Sequence, residues 1–261
     1  MNSPLSDTCR VCGHASRFAF TRAVIGRPVS YFDCGQCGYV QTQMPDWLGE
    51  AYSSVINSVD TGIMQRNLLN VGRVVMTLAC LRRLGTASVI DHAGGYGILV
   101  RMLRDVGVDA YWRDKFCDNL MARGFEASTP QPCDLLTAFE VFEHLVHPLN
   151  ELQAMLQEAP AVLLSTDLVT SAEPPAPDWW YYGPEHGQHV GFFRPATLAW
   201  MARDLGCHHA TDGHSLHLFT RAPVPRHWRL MVRLRRLSGL VVRLSLRSKT
   251  NTDFEHLRER A

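Results

Sequence analysis

The segment from Trp179 to Val190 carries the side chains best suited to chemistry. It reads WWYYGPEHGQHV, so four aromatic residues precede Glu185, His186 and His189. A histidine can take a proton from a hydroxyl or an activated carbon near neutral pH. Two histidines can also bind a metal ion, but a metal site needs further ligands. A packed loop with hydrogen-bonded histidines is the third interpretation.

Four cysteines form two CxxC pairs that are separated by 21 residues: Cys9, Cys12, Cys34 and Cys37. Each pair is followed by a glycine, Gly13 or Gly38, which allows a tight knuckle around the thiolates. Four thiolates at this spacing predict a structural zinc site with no open coordination position. We therefore expect a small zinc ribbon with structural Zn²⁺ over residues 1–45, and not a catalytic zinc.

Strand-like and helix-like runs alternate between residues 87 and 222. The strand-like runs are SVIDH, VDAYWRD, CDLLTAF, AVLLSTDL and HSLHLFTRA, and the helix-like runs are ILVRMLRDVG, LNELQAMLQEA and RPATLAWMARDLG. This alternation predicts an α/β fold with a parallel, doubly wound, Rossmann-like sheet and a ligand at the carboxyl ends of its strands. A helical connector or lid over residues 46–86 precedes this domain, and a basic tail over residues 223–261 follows it.

A glycine-rich turn, DHAGGYG, joins the first of these strands to its helix. Glycines here let the backbone approach a ligand, and a helix start favours polar or negative groups. The dinucleotide motif GxGxxG is not met, because Val100 stands where its last glycine belongs. GxxxxGK[ST], the nucleoside triphosphate motif, is absent from the sequence.

The run VIDHAGGYG resembles motif I of the class I S-adenosylmethionine-dependent methyltransferases, in which two hydrophobic residues precede Asp-x-Gly-x-Gly-x-Gly. Ala93 replaces the first glycine of that motif. The family also has an acidic residue at the end of the second strand, which holds the ribose hydroxyls, and a signature after the fourth strand that resembles LLTAFEVFEHL. The resemblance implies that S-adenosylmethionine binds over residues 87–222 through six residues: Asp91, Ala93, Gly95, Gly97, Asp114 and Glu140.

A zinc module ahead of such a domain resembles the C-methyltransferases that act on nucleotide-activated deoxysugars. Those enzymes carry a His-Glu-His-(aromatic)-Ser-Tyr motif after the fifth strand, and GQHVGFF aligns with it. Gly187 and Gln188 replace its first two residues, and His189 matches its second histidine. The resemblance implies a sugar or nucleotide-sugar acceptor with His189 as general base. His186 and Glu185 are its candidate helpers, and the aromatic residues 179–182 would wall the pocket.

The basic tail has no acidic residue between Gly213 and Thr252. Leucines and a valine share one stripe, with arginines beside it: Leu230, Leu234, Leu237, Val241 and Leu244, then Arg229, Arg233, Arg236, Arg243 and Arg247. The pattern predicts a basic amphipathic helix, interrupted only at Gly239, over residues 226–250. Such a helix can lie on an anionic membrane surface or pack against the domain or a partner subunit.

The formal net charge of +1 gives no general electrostatic argument for nucleic acid. Ribosomal RNA methylation is still an alternative, because some base methyltransferases carry an N-terminal zinc module. A non-catalytic scaffold with a vestigial cofactor fold is another. The amino-terminal residues lack the pattern of a signal peptide, so we expect a cytoplasmic protein, with peripheral attachment to the inner membrane surface if the tail binds lipid.

Overall fold

The structure is a computed structural model, which describes residues 6–52 and 61–260. Eleven strands fall in these ranges: β1 (Ser6–Thr8), β2 (Ala15–Val24), β3 (Arg27–Asp33), β4 (Val40–Thr42), β5 (Ser88–His92), β6 (Asp109–Arg113), β7 (Leu135–Phe139), β8 (Ala161–Ser165), β9 (Gly191–Phe192), β10 (His208–Thr211) and β11 (Leu216–Thr220). They form two sheets, a five-stranded one near the amino terminus and a six-stranded one in the centre.

Eight α-helices accompany the strands in the described ranges: α1 (Leu48–Ala51), α2 (Ile63–Cys80), α3 (Ile98–Asp105), α4 (Pro148–Glu158), α5 (Pro195–Asp204), α6 (Trp228–Arg233), α7 (Ser238–Ser245) and α8 (Thr250–Arg258). Three short 3-10 turns cover Phe142–His144, Trp180–Tyr182 and Arg235–Leu237. None of the helices in residues 6–52 and 61–260 is both long and apolar enough to span a bilayer.

The central sheet has the order β10-β11-β8-β7-β5-β6. β6, β5, β7 and β8 are parallel, as the alternating pattern predicts. The expectation of a wholly parallel sheet is wrong at one edge, where β11 is antiparallel to β8 and to β10. The reason is the short connection between β10 and β11, since only an antiparallel pair can be joined by so few residues.

The strand order reverses beside β5. The chain passes from β5 to β6 on one side, and then returns to β7 on the other side of β5. In open α/β sheets the crevice outside the carboxyl ends of the strands at such a point is where ligands bind. The glycine-rich turn after β5 and the loops after β6, β7 and β8 all lie along this edge of the sheet.

Two apolar layers cover the faces of the central sheet. One contains α4 and α5 and extends to the cysteine pairs and Tyr39 of the amino-terminal sheet. The other contains α2 and α3 together with Trp228 and Val232 of α6, both of which are buried. The helices of the carboxyl-terminal tail therefore contribute to the core of the α/β unit.

The tail is not the single helix that its pattern predicts. The helical run divides at residues 234–237, between α6 and α7, and Gly239 lies inside α7. Most of the predicted apolar stripe does not face the core: Leu230, Leu234, Leu237 and Leu244 are exposed, and of the stripe residues Val241 alone packs against the core. The other core-facing side chains of the tail lie outside the stripe: Trp228, Met231, Val232, Val242 and Leu246.

The amino-terminal sheet is antiparallel and has the order β1-β2-β3-β4-β9. Its last strand, Gly191–Phe192, comes from the segment between β8 and α5 and pairs with β4. Its other four strands lie within residues 6–42. The segment that holds the two histidines is thus tied directly to the cysteine-bearing part of the chain.

Candidate active site

The turn after β5 has the backbone geometry of a close-approach loop. Gly97, the residue before α3, has a φ of 80°, in the left-handed region that favours glycine. A Cβ at Gly97 would lie 2.6 Å from Oδ1 of Asn119, so a larger residue has no room. Ala93, where the motif has its first glycine, has a φ of 57°. The alanine is thus held in a conformation that glycine adopts more readily.

Asp91 lies beneath this turn and is almost completely buried. The hydroxyl of Thr137 in β7 donates a hydrogen bond of 2.6 Å to Oδ1 of Asp91. Burial raises the pKa of Asp91 to about 7, and the nearby charge of Asp114 acts in the same direction. The carboxyl group therefore supports the turn from below and links β5 to β7.

Asp114, which directly follows β6, links two loops at the carboxyl edge. Its Oδ2 accepts a hydrogen bond of 2.9 Å from the backbone N–H of Gly95, and its Oδ1 accepts from the N–H groups of Phe116 and Cys117. Each carboxylate oxygen has two lone pairs, so Oδ1 is fully used and Oδ2 can accept one further hydrogen bond. The side chain is held in place and can still bind one hydroxyl.

Glu140 follows β7 and is exposed, with a φ of 55°. The Ser165 hydroxyl at the end of β8 donates to its carboxylate, and the backbone N–H of Glu140 donates to the same hydroxyl over 2.9 Å. All six residues predicted to bind the cofactor therefore lie at or directly after the carboxyl ends of β5, β6 and β7.

His189 lies in the loop that leads into β9. Its Nδ1 is 2.6 Å from the carbonyl oxygen of Tyr181, an arrangement in which Nδ1–H donates and Nε2 keeps its lone pair. Burial lowers the pKa of His189 to about 4. The imidazole is accordingly neutral around pH 7, with an unprotonated nitrogen available for a proton or a metal ion.

The fold brings Glu143 and His144, which follow β7, next to His189. The rings of His144 and His189 meet edge to face with centroids 4.8 Å apart. One possible ligand atom from each of the three side chains lies within 4.8 Å of the other two. Glu143 is fully buried; burial and the charge of Glu140 raise its pKa. The sequence pattern assigned no site role to Glu143, although it lies within LLTAFEVFEHL, the run that resembles the family's fourth-strand signature.

The two predicted helpers of His189 are placed differently from each other. The His186 ring lies 4.8 Å from the His189 ring, and its Nδ1 accepts a hydrogen bond of 3.1 Å from the backbone N–H of Gln188. Glu185 is exposed and does not belong to the Glu143, His144 and His189 cluster. The further side chains that a metal site at these histidines would need lie in the turn after β7, and they are grouped with His189 and not with His186.

Of the aromatic residues 179–182, Tyr181 and Tyr182 pack in the core and do not wall a pocket, whereas Trp180 is 70% exposed. Tyr182 is fully buried and packs against Tyr31 and Phe192, with ring centroids 4.9 and 4.8 Å away. Tyr181 is also buried, but its hydroxyl faces the end of β8, where the backbone N–H of Asp167 donates to it over 3.0 Å. The tyrosines are core residues because the amino-terminal sheet covers them.

The four predicted zinc ligands converge. The Sγ atoms of Cys9 and Cys37 are 3.6 Å apart, those of Cys12 and Cys34 are 3.4 Å apart, and all four lie within 4.8 Å of one another. Each following glycine has a positive φ, 74° at Gly13 and 77° at Gly38, and its N–H donates to the carbonyl of the first cysteine of its pair. The two pairs therefore have the same knuckle geometry.

The amino-terminal sheet and the α1 region hold the His189 loop by hydrogen bonds to its backbone. Arg10 donates through Nη2 to the carbonyl of Val190 over 2.7 Å and through Nη1 to that of Thr42 over 2.8 Å. The indole N–H of Trp47 donates to the carbonyl of Gly187 over 2.8 Å. The position of His189 thus depends on a residue within the first cysteine pair and on one that follows the second pair.

The sheet order, the glycine-rich turn and the acidic residues at the strand ends define a Rossmann-like class I methyltransferase fold. Residues 65–210, more than half of the chain, match the family model described as a methyltransferase domain. The chain belongs to this methyltransferase domain family, and it is an enzyme. This assignment favours catalysis over the scaffold alternative.

Several solved structures are similar to the chain at low identity. TnmH is 17% identical with a TM-score of 0.48, over 68% of this chain and 62% of its own. Magnesium protoporphyrin IX methyltransferase from Synechocystis PCC 6803, with bound SAH, is 19% identical with a TM-score of 0.43, over 68% and 94%. The mitomycin 7-O-methyltransferase MmcR is 15% identical with a TM-score of 0.44, over 68% and 61%.

The chain aligns with about three-fifths of the length of TnmH and of MmcR. No curated protein matches it in sequence. Its acceptor must therefore be inferred from its own residues.

Proposed function

We propose that the chain transfers the methyl group of S-adenosylmethionine to a small acceptor, with the cofactor bound along the carboxyl ends of β5, β6 and β7. The observation that carries this proposal is the pairing of the close-approach turn at Gly97 with Asp114. Gly95 and Gly97 have φ values of 54° and 80°, which glycine adopts without strain and which suit a backbone that approaches a ligand closely. Asp114 is held by three backbone N–H groups and retains one lone pair, on Oδ2, for a ribose hydroxyl.

The bound cofactor supplies an electrophilic methyl group, and the residues of the chain then have to place the acceptor and receive its proton. The cluster around His189 is suited to that task, because it lies beyond the end of β7, at the edge of the sheet where the cofactor turn also lies. We propose His189 as the residue that faces the acceptor. Its Nδ1–H is held by the Tyr181 carbonyl, and its Nε2 lone pair can accept the acceptor's proton.

A sugar or nucleotide-sugar remains our proposed acceptor class. It rests on the alignment of His189 with the histidine of the deoxysugar enzymes and on a polar group beside the cluster, since Tyr52 Oη lies 3.1 Å from Nδ1 of His144. We propose His186 as a supporting residue. Glu185 is the weaker candidate, because its side chain is exposed.

We further propose that the four clustered cysteines hold one structural zinc ion and that residues 1–45 form a zinc ribbon. Four thiolates complete a tetrahedral site, so this ion has no position open to substrate. Its role would be to stiffen the knuckles beside Arg10 and Gly38. Arg10 holds Val190, and the carbonyl of Gly38 accepts a hydrogen bond of 2.7 Å from Arg194, directly before α5. Zinc would thereby support the geometry of the His189 loop from a distance.

The exposed leucines of the tail are proposed to attach the enzyme to an anionic lipid surface. Leu230, Leu237, Leu240 and Leu244 are each more than half exposed, and the arginines beside them are exposed as well: Arg229, Arg233, Arg236 and Arg243. The surface therefore combines apolar side chains with positive charge and has no acidic residue of its own, as lipid binding requires. We expect the wild-type chain to cosediment with phosphatidylserine vesicles, and we expect the Leu237→Ser and Leu240→Ser variants not to do so. Binding that persists in both variants would contradict it.

The first experiment is a calorimetric titration of the purified chain with S-adenosylmethionine and S-adenosylhomocysteine. Micromolar affinity for both is expected, and turnover is then measured with nucleotide-sugars and, as the alternative acceptor, ribosomal RNA. His189→Asn should lower turnover without changing cofactor affinity, because His189 lies outside the cofactor turn. Full turnover by this variant would contradict its proposed role. Salt-sensitive RNA binding together with RNA methylation would favour the alternative.

A further inference from the structure

One carboxylate and two imidazoles converge beyond the carboxyl end of β7, outside the four-cysteine cluster. Glu143 and His144 lie in the 3-10 turn Phe142–His144, and His189 comes from the loop before β9. A ligand atom from each lies within 4.8 Å of the others, close enough for a small local rearrangement to place all three on one ion. Two imidazoles and one carboxylate are a donor set that Zn²⁺ uses in catalytic sites.

Glu143 adds an independent observation. Its side chain is fully buried, and neither carboxylate oxygen makes a well-aligned hydrogen bond with any of the described residues. The hydroxyls of Thr166 and Tyr181 lie close enough to favour the charged form of Glu143, but they are not aligned on its oxygens. An unpaired carboxylate is costly to bury. A cation between Glu143 and the two histidines would balance its charge and use its free lone pairs.

The hydrogen bonding of His189 also suits a metal ligand. Metal-binding histidines commonly donate their second ring N–H to a backbone carbonyl or a carboxylate, which fixes the tautomer and the ring orientation. Nδ1 of His189 makes this contact with Tyr181 over 2.6 Å. The neighbouring acid Glu140 is held apart from the cluster by its hydrogen bond with Ser165.

We propose that Glu143, His144 and His189 bind a divalent metal ion of the zinc type, with a coordination position left open for a hydroxyl oxygen of the acceptor. Three protein ligands leave such a position in catalytic zinc sites, whereas the four-cysteine site is closed. The catalytic role of this metal site rests on the proposed methyl transfer. Because the metal would bind a hydroxyl oxygen, the acceptor would be an alcohol or a phenol. The Nε2 lone pair of His189 would then bind the metal, and it would no longer be the proton acceptor.

The chemistry balances with the groups named. A metal ion lowers the pKa of a bound hydroxyl, whose proton leaves to solvent. The resulting alkoxide or phenolate oxygen forms the new bond to the methyl carbon while the bond from sulfur to that carbon breaks. The sulfonium becomes a neutral thioether, and no oxidant or reductant is required.

The test counts metal ions in the untagged, full-length chain. The protein is saturated with Zn²⁺, excess metal is removed, and zinc is measured by mass spectrometry. We expect two zinc ions per chain in the wild type, one in Glu143→Gln and His189→Asn, and one in Cys12→Ser. The exposed-histidine variant His208→Asn is the matched control and should keep two. Circular dichroism and titration with S-adenosylhomocysteine confirm that each variant is folded.

A second measurement needs no variant. The wild-type chain is loaded with Co²⁺, and a spectrum with bands from an oxygen- and nitrogen-ligated ion, in addition to those of the thiolate site, is expected. The proposal would be overturned if the wild type binds one zinc ion, Cys12→Ser binds none and Glu143→Gln still binds one. Turnover that is insensitive to removal of the second ion would likewise overturn the metal's role and leave His189 as the base. If the chain binds a second metal ion but neither S-adenosylmethionine nor S-adenosylhomocysteine, the two proposals separate. The metal count would then support the metal site, and the missing cofactor binding would refute the proposed methyl transfer.

Discussion

Arg104 of α3 and Asp253 of α8 form a buried two-point ion pair, with Nη2 2.7 Å from Oδ1 and Nε 2.8 Å from Oδ2. The Arg104 guanidinium also lies over the ring of Phe125, 3.7 Å from its centroid. These contacts fasten the last helix beside β6, where the backbone of Trp112 pairs with that of residues 125–127. The carboxyl-terminal helix α8 is therefore part of the folded unit. This holds independently of any surface that the exposed leucines of the tail contact.

Asp253→Asn should destabilise the chain because it removes the two-point partner of the buried Arg104 guanidinium, which then keeps only the more exposed Asp109, 3.2 Å away. Because that second partner remains, we expect a loss of about 1.5–3 kcal/mol, the usual range for hydrogen bonds to charged groups. Urea unfolding of the variant measures this loss. Glu255→Gln, on the exposed side of the same helix, is the control and should change stability by less than about 0.5 kcal/mol. Equal stability of both variants would contradict the importance of the pair.

Two histidines outside the proposed metal site, the buried His217 and the half-buried His209, contribute stability that falls as the pH is lowered below about 6.5, because their pKa values are lowered. Asp91, whose pKa is raised to about 7, contributes in the opposite direction over this range, so the histidine contribution is measured as the difference between variant and wild type. Burial lowers the pKa of His209 and of His217 to about 4 in each case. Between these values and the ordinary 6.5 the unfolded chain binds more protons, so each histidine contributes stability that is present above pH 6.5 and is lost toward pH 4.

The size of this effect is up to about 1.4 kcal/mol per pH unit for each histidine. Urea unfolding at pH 7 and at pH 5 measures it. His217→Gln should reduce the slope by one histidine's share, although the variant also changes contacts with Thr166 and Thr211. His208→Gln, an exposed neighbour, should leave the slope as it is in the wild type. A His217→Gln slope that matches the wild type would contradict this assignment.

Asp114→Asn should weaken S-adenosylmethionine binding by at least about tenfold, or about 1.4 kcal/mol, through loss of a charged hydrogen-bond acceptor. Asparagine keeps one oxygen for the N–H groups of Phe116 and Cys117, so the loop should remain folded. Asp118→Asn, an exposed acid four residues further on, is the matched control. Calorimetric affinities that are equal for the two variants would remove Asp114 from the cofactor site.

Cys12→Ser should lower thermal stability and make the His189 loop more susceptible to protease, because the loop is held by groups beside the cysteine cluster. The expected cleavage lies between residues 183 and 190, and it should be detected by mass spectrometry after limited proteolysis. Cys117→Ser alters a cysteine that is half-buried, as Cys12 is, but lies outside the cluster, and should leave the digestion pattern unchanged. If both variants give the same digestion pattern, the cysteine cluster does not stabilise the His189 loop.

The predictions that rest on short stretches of sequence agree with the structure. The CxxC spacing placed four thiols together, and the alternating runs located β5–β8, β11 and α3–α5. The glycine-rich turn was found because its geometry is local: a φ of 80° and a close contact leave few residues other than glycine at position 97. Hydrophobic periodicity likewise depends on neighbours a few positions away.

Tertiary structure alone decided the relationships that join distant parts of the chain. His189 meets Glu143 and His144 because β9 is paired with β4 and the turn after β7 ends at the same edge of the sheet. Tyr182 is buried because the amino-terminal sheet covers it, and the side of the tail that faces the core depends on α2 and on Arg104. Composition and periodicity carry no information about such contacts, since each depends on packing between segments separated by tens of residues or more.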